Sequence, residues 1–177
     1  MKSESLVQWY LKYKKELYSI YTDIKECEHI FFIAAMYILR SDKTDIRFAL
    51  MEEKKLNENE IHSFENILRK LKKNKPIQYI TGKASFYGLD IYVNQHVLIP
   101  RKETEELVHW IIEESKQSFP YCILDIGTGS GCLALVLKKK ILYHRYMPLI
   151  ILIKFFTVLK IMQTYISYLL IFINQMF

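Results

Sequence analysis

The sequence predicts an α/β protein made of a helical bundle, a β-hairpin connector and the opening of a parallel-sheet domain. Three observations carry this. Residues 3 to 73 hold apolar positions at helical spacing. The pattern then switches to short strand-like runs broken by Gly82 and Gly88. A short apolar run, Tyr121 to Ile126, leads directly into three closely spaced glycines. The corresponding domains are 1–74, 75–99 and 100–140, followed by an apolar tail, 141–177.

In the first domain, Ile30 to Leu39 is a continuous apolar run with Ala34, Ala35 and Met36 inside it, too short to cross a bilayer and suited to a buried helix. Asn57 and Glu60 have capping-box spacing, and Ile61, Phe64, Ile67, Leu68 and Leu71 follow on one helical face. Lys70, Lys72, Lys73 and Lys75 form a basic end that suits the carbonyl end of the helix dipole, and Pro76 stops the helix. From Gln78 to Ile99 the sequence reads as strands, with Tyr79, Ile80, Phe86, Tyr87, Ile91, Tyr92, Val93, Val97 and Leu98 as their apolar positions. Glu103 to Lys116 reads as a helix with acids in its first turn and Leu107, Trp110 and Ile111 on one side.

The chain has 177 residues, 51% of them apolar, and a net charge of +6. That composition excludes collagen-like, disulfide-scaffold and wholly disordered proteins. The charge is unevenly placed. All 19 acidic residues lie between Glu4 and Asp125, alongside 22 basic residues up to Lys140. Residues 141 to 177 have Arg145, Lys154 and Lys160 but no acid and no glycine. Cys27, Cys122 and Cys132 suit neither a structural zinc site nor a disulfide framework and read as buried thiols in a reducing cytoplasm. Met1 to Tyr10 lacks a secretory pattern, so the expected location is cytoplasmic.

The segment Leu124-Asp125-Ile126-Gly127-Thr128-Gly129-Ser130-Gly131-Cys132 reads as a strand, a glycine turn and a helix start. Glycines there let a ligand approach the backbone more closely than any Cβ allows. The Gly-x-Gly-x-Gly spacing, with Asp125 two residues ahead, favours S-adenosylmethionine over NAD. A glycine turn that binds nothing is the alternative for this motif taken alone.

Together with Pro76-Ile77-Gln78-Tyr79-Ile80-Thr81-Gly82, Phe86-Tyr87-Gly88 and Val97 to Glu105, the glycine segment closely resembles the HemK family of glutamine methyltransferases that modify peptide chain release factors. The resemblance covers roughly residues 65 to 137, and Lys102 departs from the family's usual proline. It implies a Rossmann-like class I S-adenosylmethionine-dependent methyltransferase domain, incomplete here, behind a helical domain. It implies methylation of the glutamine side chain in the Gly-Gly-Gln loop of release factors. No metal is implied, no membrane, and contact with nucleic acid only through the ribosome or release factor. Gly127, Thr128, Gly129, Ser130 and Gly131 carry over as cofactor-loop positions. Pro100, Arg101, Glu103, Thr104 and Glu105 would line the mouth of the site, with Arg101 and Glu105 as polar organisers and Thr104 as a helix start. Glu103 and Glu105 are equally readable as simple dipole partners in a first helical turn.

The family also uses an acid that holds the cofactor's ribose and an Asn-Pro-Pro-Tyr motif that aims the amide nitrogen at the methyl group. Neither is in this sequence, so the expectation is no catalytic residue, no turnover and weak or no cofactor binding, with the parallel strands beside Leu124 missing. The tail has three readings: a membrane anchor over Ile161 to Phe177, a divergent fold, or a lost reading frame. The last is favoured. Lys138 to Lys140 come from A-rich codons, and restoring one base permits Ala-Ile-Asp from Met147 to Ile150, with two further family-like patterns in register downstream. A non-catalytic release-factor-binding fragment is the expectation from another class.

Overall fold

A computed structural model describes residues 4–114, 123–141 and 150–153. The chain divides into two compact units, Met1–Gly82 and Lys83–Phe177.

The first unit is helical: α1 Leu6–Tyr21, α2 Ile24–Leu39, α3 Lys43–Met51, α4 Glu58–Leu71 and the short α5 Ile77–Thr81. Each of the first four begins at a side-chain cap, which satisfies N–H groups that a helix start otherwise leaves free. Ser5 with Gln8, Asp42 with Asp45 and Asn57 with Glu60 form reciprocal capping boxes, and Asp23 caps α2. In the third box, Asn57 Oδ1 accepts from the Glu60 N–H at 2.9 Å and Glu60 Oε2 from the Asn57 N–H at 2.8 Å. The inner faces meet in an aromatic cluster. Phe64 stacks on Trp9 and on Phe31, with ring centroids 5.5 and 5.9 Å apart, and meets Tyr13 edge-on at 5.9 Å. Tyr13 is fully buried, and its hydroxyl donates to the Phe64 carbonyl at 2.8 Å. Burial pushes that phenol well above the usual tyrosine range. The chain start is tied in by backbone hydrogen bonds from Leu6 N–H to Lys54 O and from Leu56 N–H to Glu4 O, at 2.9 and 3.0 Å.

Gln78 to Ile80, expected as strand, are helical. Pro76 supplies an extended cap, Gly82 closes the turn in the left-handed region at φ 74°, and buried Ile77 joins the core of the bundle, so local strand propensity loses to packing.

The second unit opens with a hairpin, β1 Lys83–Phe86 and β2 Leu89–Tyr92, paired antiparallel from Lys83↔Tyr92 to Phe86↔Leu89. Its turn residues Tyr87 and Gly88 both have positive φ, 49° and 74°, the geometry whose twist matches that of the flanking strands. Ala84, Phe86 and Ile91 are buried. The expected strand at Val97 and Leu98 is instead loop. Asn94 Oδ1 accepts from His96 N–H at 2.9 Å and Asn94 O from Val97 N–H at 3.2 Å, a local turn that competes with a ladder. Helix α6, Lys102–Glu114, buries Val108 and leaves Leu107 and Trp110 exposed at 42% and 64%. Then come β3 Ile123–Ile126, α7 Cys132–Ile141 and β4 Ile150–Ile153. β3 and β4 pair in parallel, from Ile123↔Ile150 to Ile126↔Ile153. The expectation that β3 has no parallel partner is therefore corrected: a second apolar run beyond α7 satisfies one edge of its backbone. Apart from Ile141 and β4, the tail 141–177 with its anchor and reading-frame expectations lies outside the described residues. No described helix is long and apolar enough to cross a membrane.

Candidate cofactor loop

Strand β3 ends at Ile126, and the five residues Gly127 to Gly131 connect it to α7. All three glycines of this loop are in the left-handed region, at φ 78°, 55° and 77°. An L side chain is strained there, which accounts for glycine at alternate positions. Among the described residues, a Cβ built on Gly127 would meet nothing within 4 Å, and one on Gly129 only the Gly127 carbonyl at 3.8 Å. The glycines are thus required by backbone conformation and leave open space beside the chain, the shape of a cradle for a close-fitting ligand. Gly131 N–H donates to Thr128 O at 2.8 Å and closes the turn, while Leu135 N–H donates to Gly131 O at 2.9 Å and starts α7. The next N–H groups of α7 have no intrahelical acceptor, and their dipole end is positive.

Among the described residues, two polar atoms at this turn are buried without a partner: Asp125 Oδ2 and Thr128 Oγ1. Buried oxygens normally find a hydrogen bond, so a pair of them flanking a glycine cradle fits a ligand that brings donors. Sequence reading places Thr128 in the loop and uses Asp125 only to separate cofactor classes. The signal for Asp125 was present, since it is the one acid in an otherwise apolar strand. Cys132, first in α7, is a buried free thiol, as is Cys27, while Cys122 lies outside the described residues. Among the described residues no cluster of His, Cys, Asp and Glu could hold a metal ion.

The expected site-mouth segment, Pro100 to Glu105, spans the residues just before α6 and its first turn. Pro100 precedes α6, and Arg101 and Glu103 are exposed. Thr104 N–H donates to Arg101 O at 3.1 Å, the first bond of the helix. Glu105 is half-buried, and its Oε1 accepts the backbone N–H of Tyr87 at 2.7 Å. Glu105 is thereby brought to the hairpin turn, where Lys140 Nζ of α7 also sits 5.7 Å from the centre of the Tyr87 ring. Glu105 is more than a dipole partner: it fastens α6 to the hairpin.

Residues 28–82 match the family model described as the PrmC N-terminal domain. The chain is also similar to curated proteins named release factor glutamine methyltransferase. The one from Flavobacterium psychrophilum is 44% identical over 122 residues, 67% of this chain and 42% of the relative. Those from Streptococcus pneumoniae and Bacteroides thetaiotaomicron are 49% and 52% identical over 96 and 77 residues, covering 34% and 27% of their lengths. The chain spans less than half the length of these relatives. Residues 28–82 thus match the PrmC N-terminal domain family model, and the chain is similar to release factor glutamine methyltransferases over the part it shares with them.

Proposed function

We propose that this chain carries the helical domain and the cofactor-binding end of a cytoplasmic, Rossmann-like S-adenosylmethionine-dependent methyltransferase whose substrate is the glutamine side chain in the Gly-Gly-Gln loop of peptide chain release factors. The observation that supports it most is the Gly127–Gly131 cradle with two partnerless buried oxygens beside it. The names of the relatives supply the reaction.

S-adenosylmethionine, when bound, supplies an activated methyl group on a sulfonium. Gly127 and Gly129 would let its chain lie against the backbone, and the first N–H groups of α7 would take its carboxylate. Asp125 Oδ2 and Thr128 Oγ1 would accept from its donors, which removes their unsatisfied burial. Gly131 would hold the turn in shape. The sequence contains no Asn-Pro-Pro-Tyr to aim an amide nitrogen. The expectation of weak or no cofactor binding rests on β3 lacking parallel neighbours; with β4 paired beside it, the role proposed for these 177 residues is to hold the cofactor.

Ultraviolet cross-linking of radiolabelled S-adenosylmethionine, mapped by peptide mass spectrometry, tests this reading. Label is expected on the peptide containing Asp125 to Leu133, suppressed by S-adenosylhomocysteine and untouched by NAD. Label elsewhere, or competition by NAD, contradicts it.

A further inference from the structure

A groove of about 420 Å³ runs between α1 and α4 of the helical unit, lined by Lys12, Glu16, Glu65, Arg69, Lys72 and Lys73 over the buried side chain of Leu68. Four of the six charges are positive. Only one of these cations is in an ion pair among the described residues, Lys72 Nζ with Glu16 Oε2 at 3.0 Å. Arg69 donates to the neutral Asn66 Oδ1 at 3.1 Å and is in no ion pair among the described residues. Lys12 Nζ rests 4.1 Å from the centre of the Trp9 ring, which fixes its head at the groove without neutralising it. Lys12, Arg69 and Lys73 are all exposed. The excess of cations continues along the chain: residues 69 to 75 hold Arg69, Lys70, Lys72, Lys73 and Lys75 and no acid.

From this pattern we infer that the α1–α4 groove is a docking surface for an acidic polypeptide segment of a partner protein. Charge complementarity selects a polyanion. Glu16 and Glu65 within the groove select against a continuous phosphate backbone, which would meet both, whereas spaced carboxylates can match the cations and avoid them. Trp9, beneath the Lys12 ammonium, is 1% exposed, so its face is closed to stacking bases. The surface lies wholly in the helical unit and does not depend on the cofactor reading.

Fluorescence anisotropy on the full chain tests this. The probes are a labelled peptide of repeating Glu-Glu-Leu, its Lys-Lys-Leu counterpart and a labelled oligouridine RNA. Binding of the acidic peptide alone is expected, weakening with added salt. The double variant Arg69→Glu/Lys73→Glu should weaken it by about tenfold or more. Lys25→Glu/Arg47→Glu, the same charge change at exposed sites outside the groove, should leave it nearly unchanged, with circular dichroism verifying the fold of both variants. The inference is overturned if the acidic peptide does not bind, if the RNA binds as tightly, or if the two double variants weaken binding equally.

Discussion

The Glu105 carboxylate accepts the backbone N–H of Tyr87 at 2.7 Å, so the first turn of α6 holds the hairpin at its own turn. Tyr87 is a non-glycine residue at φ 49°, a conformation of modest cost that this bond helps to hold in place. A charged acceptor on a half-buried amide contributes about 1.5–3 kcal/mol. Glu105→Ala is therefore expected to destabilise the second unit by that order and to speed amide exchange at Tyr87. Glu105→Gln, which keeps an acceptor oxygen, should restore most of the protection. Urea unfolding with exchange measured by mass spectrometry reads both.

The aromatic cluster should dominate the stability of the helical unit. Phe64 is fully buried and contacts the rings of Trp9, Tyr13 and Phe31, so Phe64→Ala is expected to cost about 3–5 kcal/mol. Tyr13→Phe removes one neutral hydrogen bond and leaves the packing, at about 0.5–1.5 kcal/mol. Chemical denaturation followed by circular dichroism separates the two. A larger loss for Tyr13→Phe than for Phe64→Ala would contradict this ranking.

Glu28 joins α2 to α1 by accepting from Lys14 Nζ at 2.6 Å and from the Tyr10 hydroxyl at 2.8 Å. The Lys14 bond first, and the Tyr10 bond second, hold its carboxyl below the usual glutamate range. A carboxylate lowered on folding stabilises the protein above its unfolded pKa, and that contribution disappears as pH falls through the folded value. The stability difference between the natural chain and Glu28→Gln is thus expected to be constant at neutral pH and to shrink on acidification below the ordinary carboxylate range. Thermal melts of both across acid pH check this, and a difference that grows on acidification would refute it.

Much of this was legible in the sequence because the signals were local. The Asn57–Glu60 box, the Phe64 to Leu71 face and the Gly127–Gly131 turn each need only a few neighbouring residues to be recognised. Ile77 to Thr81 was not legible, because its helix depends on Ile77 entering a core formed by distant helices. The Glu105–Tyr87 bond likewise depends on which element packs against which. β4 was hidden for another reason: an all-apolar run gives no periodicity, and only its backbone register beside β3 identifies it as a strand. The partnerless oxygens of Asp125 and Thr128 are a property of burial, which a motif alone does not reveal.

The three loop glycines should respond to substitution through backbone strain. Gly131→Ala places a Cβ 3.9 Å from both Leu135 Cδ1 and Thr128 Oγ1, an ordinary contact, so its cost is the strain of φ 77°, about 1–2 kcal/mol. Thermal unfolding of this variant beside Ala134→Gly, a change in the following helix without positive φ, checks the origin of the loss. Equal losses with no change in the Gly127–Gly131 loop's exchange protection would contradict the strain account.

Calorimetric titration of the full chain with S-adenosylmethionine tests the central claim most directly. Saturable one-to-one binding is expected, abolished in Gly127→Val and weakened in Asp125→Asn. No heat from a chain that circular dichroism shows to be folded, or binding unchanged in Gly127→Val, would contradict the claim that the Gly127–Gly131 loop is a cofactor site.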